Sequence, residues 1–97
     1  MDDTELIDFA SKASGFAYSG AANPRIDDAL ALRLAVKLSL GVRPHGPDHW
    51  HQPNVAVALW GFGDKSGRVT VEHGDDPQRA TRRAITRAAA AIGGAMP

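Results

Sequence analysis

Seven consecutive residues, His45-Gly46-Pro47-Asp48-His49-Trp50-His51, bring three imidazoles and a carboxylate together. These are donor types that bind divalent metals, zinc above all. A metal site also needs ligands held in a fixed geometry by a supporting shell. Here Gly46 and Pro47 break up the segment, Pro44 and Pro53 flank it, and its spacing matches no metal motif, so a surface loop without an assigned metal is expected. His73 could join such a site only if the fold brings the loop to it. Nucleophilic catalysis fares no better. Ser11, Ser14, Ser19, Ser39 and Ser66 all lie outside a strand-turn-helix elbow. Asp48 and His49 are sequence neighbours, which is not how a general base and its orienting carboxylate are arranged. No catalytic residue, cofactor-binding residue or cofactor is assigned, and a protein that is not an enzyme is expected.

A second group with chemical potential lies near the C-terminus. On a helix advancing about 100° per residue, Arg79, Arg82, Arg83, Thr86 and Arg87 share one arc, and Thr81, Ala84, Ile85, Ala88 and Ile92 share the opposite one. Guanidinium groups offer planar, multidentate donors to phosphates or to a carboxylate-rich protein. The plainer reading is a solvated face. Net charge is +0 at neutral pH, the first 28 residues are rich in Asp and Glu, and no aromatics interleave with the arginines. Those features favour a protein partner over nucleic acid; a small nucleic-acid-binding regulator using Arg79, Arg82, Arg83 and Arg87 is the alternative. Trp50, in a polar loop, is the best candidate for an exposed anchor in a protein interface. Trp60 reads as core. The tentative partner-binding set is therefore Arg79, Arg82, Arg83, Arg87 and Trp50.

The elements that must position these groups are readable from pattern. The 97 residues, 43% apolar and 23% charged, suit a single domain spanning 1–97 with its own core. There is no cysteine, and no apolar run long enough to span a membrane, so no membrane partner is expected. The acidic start, Asp2-Asp3-Thr4-Glu5, lacks the basic flank of a secretory signal, and a cytoplasmic location is the expectation. A first helix over about 3–14 is capped by Asp2 or Asp3, striped by Leu6, Ile7, Phe9, Ala10 and Ala13, and stopped by Gly15. Phe16 to Tyr18 suggests a short extended piece, and Ser19 to Pro24 a loop. A second helix over about 28–39 carries so many apolar residues that burial over more than half its circumference is expected. The alternation of Leu38, Leu40 and Val42 leaves a strand open at its end. Arg43 to Pro53 reads as a surface loop.

Two strands, 54–62 and 68–73, form a hairpin turning around Asp64-Lys65-Ser66-Gly67. With Gly67 as a left-handed bulge residue, Asp64 faces Arg68, and Val55, Val57 and Leu59 share a face with Val69 and Val71. The reverse face would carry Ala56, Ala58, Trp60 and Phe62. Those rings need a cover: a helix of this chain, a partner, or a second copy in a homodimer. A last helix over about 76–92 starts at Asp75 or Asp76, with Pro77 in its first turn and Gln78 closing a capping box from Asp75, and stops at Gly93-Gly94. Helices and strands that do not alternate indicate an α+β fold, a small antiparallel sheet packed with about three helices.

Two segments, Asp28-Ala-Leu-Ala-Leu-Arg-Leu-Ala-Val-Lys-Leu38 and Asp76-Pro-Gln-Arg-Ala-Thr-Arg-Arg-Ala-Ile-Thr-Arg-Ala-Ala-Ala-Ala-Ile-Gly93 with Met96 following, resemble small proteins of bacteriophages and prophages, of the phage α/β/α sandwich type. Where that pattern often has tryptophan before Asn-Pro, this chain has Ala22. The resemblance implies a small sheet covered by helices and a viral or prophage setting, in the cytoplasm of a bacterial host. It supplies no catalytic residues. The functional expectation is a non-enzymatic accessory protein that binds a host or phage protein and inhibits a host defence system.

Overall fold

The computed structural model describes residues 2–50, 52–62 and 65–96. In chain order the elements are α1 (Asp3–Ser14), α2 (Asp28–Lys37), β1 (Gly41–His45), β2 (Val55–Phe62), β3 (Lys65–Glu72) and α3 (Pro77–Gly94). The strands form an antiparallel sheet in the order β1-β2-β3. This is the expected α+β architecture of three helices and a small antiparallel sheet.

Each helix begins at an aspartate whose carboxylate accepts an otherwise unpartnered N–H. Asp2 accepts from Glu5 N–H at 2.8 Å, Asp27 from Leu30 N–H at 3.1 Å and Asp76 from Arg79 N–H at 3.1 Å. Each such cap stabilises its helix by about 1 kcal/mol. Because Asp76 is the cap, Gln78 falls one residue short of the position a capping box requires, and no box forms from Asp75. Gly15 ends α1 in the left-handed region at φ 78°, donating its N–H to Ser11 O at 2.8 Å. Phe16 to Tyr18 is irregular rather than extended in a sheet.

The third strand starts later than Leu38 and runs into the segment expected to be loop. β1 contains Arg43, Pro44 and His45, because an edge strand tolerates a proline that a central strand could not.

The hairpin register differs from the expected one: Arg68 faces Leu59 instead of Asp64, five residues along, an odd displacement that exchanges the faces. Phe62 pairs with Lys65, Trp60 with Gly67, Leu59 with Arg68, Ala58 with Val69 and Ala56 with Val71. The strand therefore continues through Lys65, Ser66 and Gly67, where a turn was expected; Asp64 lies outside the described residues. Val69 and Val71 share their face with Ala56, Ala58 and Trp60, while Val55, Val57 and Leu59 share theirs with Arg68, Thr70 and Glu72. Gly67 serves space, not turn geometry: a Cβ there would overlap the Trp60 indole, and its φ is not left-handed. The ring crosses onto β3 because its partner has no side chain.

All of this is organised by α3. Ala80, Ala84 and Ala88 lie against Ala56 and Ala58 of β2, flanked by Trp60, Val69, Val71 and Leu40. A helix of the same chain thus covers the Trp60 face. Ile85 and Ala89 join Ala10 of α1, Ala31, Leu34 and Ala35 of α2, and Leu38 in a second buried cluster, with Ile92 packed alongside. Gly93 does not stop the helix. It is buried against α1, where a Cβ would overlap Phe9 O, so its role is close approach of two backbones. Thr86, expected on the arginine arc, is 0% exposed and donates its hydroxyl to Arg82 O at 2.8 Å.

Two consequences are measurable. Gly93→Ala should cost at least about 2 kcal/mol by overpacking, lowering Tm by roughly 10 °C. Gly94→Ala, next to open space, should be neutral or gain up to about 1 kcal/mol. Thermal unfolding of the pair separates a packing glycine from a helix stop. The Tyr18 hydroxyl is buried and, among the described residues, has no partner at hydrogen-bond geometry, though the Ser14 hydroxyl lies near it. Burial pushes its ionisation above 10.0, only partly offset by the Ser14 hydroxyl, which is engaged with Ala10 O and Phe16 N–H. The folded chain then holds the phenolic proton more tightly than the unfolded one. Stability from this group is present below pH 10 and is lost as pH rises through the folded pKa. Urea midpoints at about pH 9 and 11 should fall more for wild type than for Tyr18→Phe, and the absorbance titration of this sole tyrosine should have its midpoint above 10.

Candidate functional site

Alternation along the strands gives the sheet two unlike faces. Val42 and Pro44 of β1 look toward the helices; Arg43 and His45 point the other way, with Val57 and Leu59 of β2 and Arg68 and Thr70 of β3. The chain from Gly46 to Asn54 folds back over this second face, its ends joined by Asn54 N–H donating to Gly46 O at 3.2 Å. Gln52 is its staple. The Gln52 carbonyl accepts from His45 Nδ1 at 2.9 Å, its N–H donates to His49 Nδ1 at 3.1 Å, and its Oε1 accepts from Arg68 Nη2. These partners set the tautomers: His45 carries its proton on Nδ1, and neutral His49 on Nε2.

The two imidazoles are stacked, centroids 3.7 Å apart and planes 2° from parallel; Trp50 continues the series at 6.2 Å and 17° from His49. Beneath them Val57 is 1% exposed, whereas Trp50 is 89% exposed. A cavity of about 430 Å³ opens between loop and sheet, lined by Arg43, His45, His49, Trp50, Gln52, Val57, Leu59 and Arg68. Rings stacked in parallel send their in-plane lone pairs along parallel planes and not toward one point. Among the described residues no group of three or more His, Cys, Asp or Glu could hold a metal ion. His51 lies outside the described residues, and His73 is tied by its backbone N–H to Asn54 O at 2.9 Å, away from the cavity lining.

The arginine arc is divided by its neighbours. Arg82 donates to Asp28 Oδ1 at 2.8 Å and to Arg25 O at 3.0 Å, fastening α3 to the start of α2. Arg25 in turn pairs with Asp3 at 3.1 Å. Arg79, Arg83 and Arg87 make no ion pair among the described residues. Arg83 and Arg87 flank a shallow depression with Asp3 and Leu6 at the junction of α1 and α3. Among the described residues the arc thus comprises one tether and three cations without an ion pair, interrupted by the buried Thr86. Trp50 lies on another side of the molecule, over the sheet face that α3 does not touch.

One surface went unread in the sequence. α2 buries Ala31, Leu34 and Ala35 but leaves Leu32 65% and Val36 71% exposed, less covered than its composition suggested. Leu32 edges a second cavity of about 430 Å³ between α2, β1 and α3, with Ala31, Ala35 and Ile85 at its floor, Val42, Pro44 and Pro77 on its walls, and Asp28 and Arg82 at its polar edge. Helical periodicity contained the signal: apolar residues surround the helix, more than one packing face can use. The cavities lie on opposite faces of the edge strand β1.

No known family matches the chain, and neither curated proteins nor solved structures gave a match. Among the described residues no helix is long and apolar enough to cross a membrane. The division of the arc predicts different costs. Arg82→Ala should destabilise by about 1 kcal/mol, since a partly buried cation loses a carboxylate and a carbonyl partner at once, while Arg79→Ala should stay within about 0.5 kcal/mol. Chemical denaturation of the two variants measures the difference.

Proposed function

We propose that this protein is a non-enzymatic accessory protein of a phage or prophage that acts by binding a host or phage protein, with inhibition of a host defence system as the role such binding serves. The observation that carries protein binding is the apolar cavity between α2 and α3 with Leu32 at its edge and Val36 one turn further along α2. A surface of this kind gains by accepting apolar side chains from a partner. The ion pair of Asp28 and Arg82 at its edge offers orienting charge. Support for the phage setting is the resemblance of Asp28 to Leu38 and Asp76 to Gly93.

The alternative, a nucleic-acid regulator reading phosphates with the C-terminal arginines, has Arg79, Arg83 and Arg87 at its disposal but not Arg82 or a flat cationic face. Leu32→Asp and Val36→Asp place charges on exposed positions and should leave Tm within a few degrees of wild type. Immobilised wild-type protein should retain a specific protein from bacterial lysate that the double variant loses, and the variant should lose its effect in infection assays. Equal retention by wild type and variant, with salt-sensitive DNA or RNA capture abolished by replacing Arg83 and Arg87, would transfer the function to the alternative.

A further inference from the structure

The cavity beneath the stapled loop has a composition unlike the groove on the helix side. Its floor is Val57 and Leu59; one wall is the stacked series His45, His49 and Trp50; and the exposed Arg43 and Arg68 complete the lining. Along β1 and β3, Arg43 pairs through Val57 with Thr70, and Arg68 pairs through Leu59 with Gly41, so the two cations sit diagonally across the apolar floor. Among the described residues no carboxylate lines the space; Glu72, on the same face, is paired with Val55 one row beyond Arg43, and Asp48 is exposed in the loop. Neither Arg43 nor Arg68 has an ion-pair partner among the described residues.

Each component selects one part of a ligand. Trp50, 89% exposed as a residue and 17° from parallel to His49, presents an indole on which another planar ring can extend the stack. Two cations flanking an apolar floor, with no acid between them among the described residues, attract an anion attached to that ring, and the fork of a guanidinium matches phosphate oxygens. The preformed staple by Gln52 holds Arg68 and His49 in place before a ligand arrives, which lowers the ordering cost of binding. We infer that this cavity is a binding site for a nucleotide, the heteroaromatic base stacking on Trp50 and the phosphate meeting Arg43 and Arg68. The ligand is either a free nucleotide or a nucleotide within a single strand. This site lies on the opposite face of β1 from the groove assigned to a protein partner and does not depend on that assignment.

Calorimetric titration of the full chain with AMP, UMP, inorganic phosphate and an eight-residue single-stranded deoxythymidine oligomer tests the inference. AMP or the oligomer should bind, phosphate alone more weakly than either. Trp50→Ala should weaken binding by roughly 10-fold or more, the range for loss of one base stack, and Arg43→Ala and Arg68→Ala should each weaken it. Leu32→Asp, on the other face, should leave it unchanged. Trp50 is exposed, so its variant should keep the wild-type Tm, and that is checked in parallel. Mononucleotide binding comparable to the oligomer per base identifies a free nucleotide; binding of the oligomer alone, with a steep salt dependence, identifies a single strand. If none of these probes binds up to about 1 mM, some −4 kcal/mol of affinity, or if binding survives Trp50→Ala and Arg43→Ala unchanged, the site is not a nucleotide site.

Discussion

A helix whose buried positions are almost all alanine, glycine or threonine can be approached closely from two sides, because backbone meets neighbouring backbone with little side chain between. α3 occupies this position. Its Ala80, Ala84 and Ala88 lie on the strand alanines, while Ala89 with Ile85 meets the other two helices and Gly93 admits the α1 backbone. Small residues contribute less transfer free energy apiece than leucine or phenylalanine would. What they provide instead is proximity, and with it many weak dispersion contacts. The arrangement tolerates little change of volume, since a single added methyl at Gly93 has a backbone carbonyl in its place.

That constraint determines which surfaces remain for binding. Because α3 takes the face of the sheet bearing Ala56, Ala58 and Val69, the opposite face is left to Arg43, His45, Val57 and Arg68, and among the described residues the loop between Gly46 and Asn54 covers it. Because α2 packs on α3 through Ala31, Leu34 and Ala35, its own Leu32 and Val36 stay outside. The arginines of α3 are sorted by the same geometry: Arg82 reaches back to α2, and the other three make no ion pair among the described residues.

Much of this was legible in the chain. Aspartate caps, Gly15 and the apolar stripes located every helix to within a few residues, since capping and amphipathic periodicity are local properties. What the sequence concealed was set at a distance. Gly67 and Gly93 resemble a turn and a stop, yet each is required by a partner far along the chain, Trp60 in one case and Phe9 in the other. The hairpin register followed the fit of Trp60 over a glycine and of alanines under a helix, not the simple matching of valine with valine. Pro44 argued for a loop because edge position cannot be known before strand order is. Of the candidate sites, Trp50 and the arginines could be named from residue type, but the convergence of Arg43, Arg68 and the stacked histidines depends on which strand residues share a face.

Hydrogen exchange reports directly on whether α3 is enclosed on both sides. If it is, the amides from Ala84 to Gly93 exchange only through global unfolding, are the slowest in the chain, and share the free energy measured by denaturation. Exchange of those amides at the rate of a helix with one solvated side, well ahead of the β2 amides, would contradict the account.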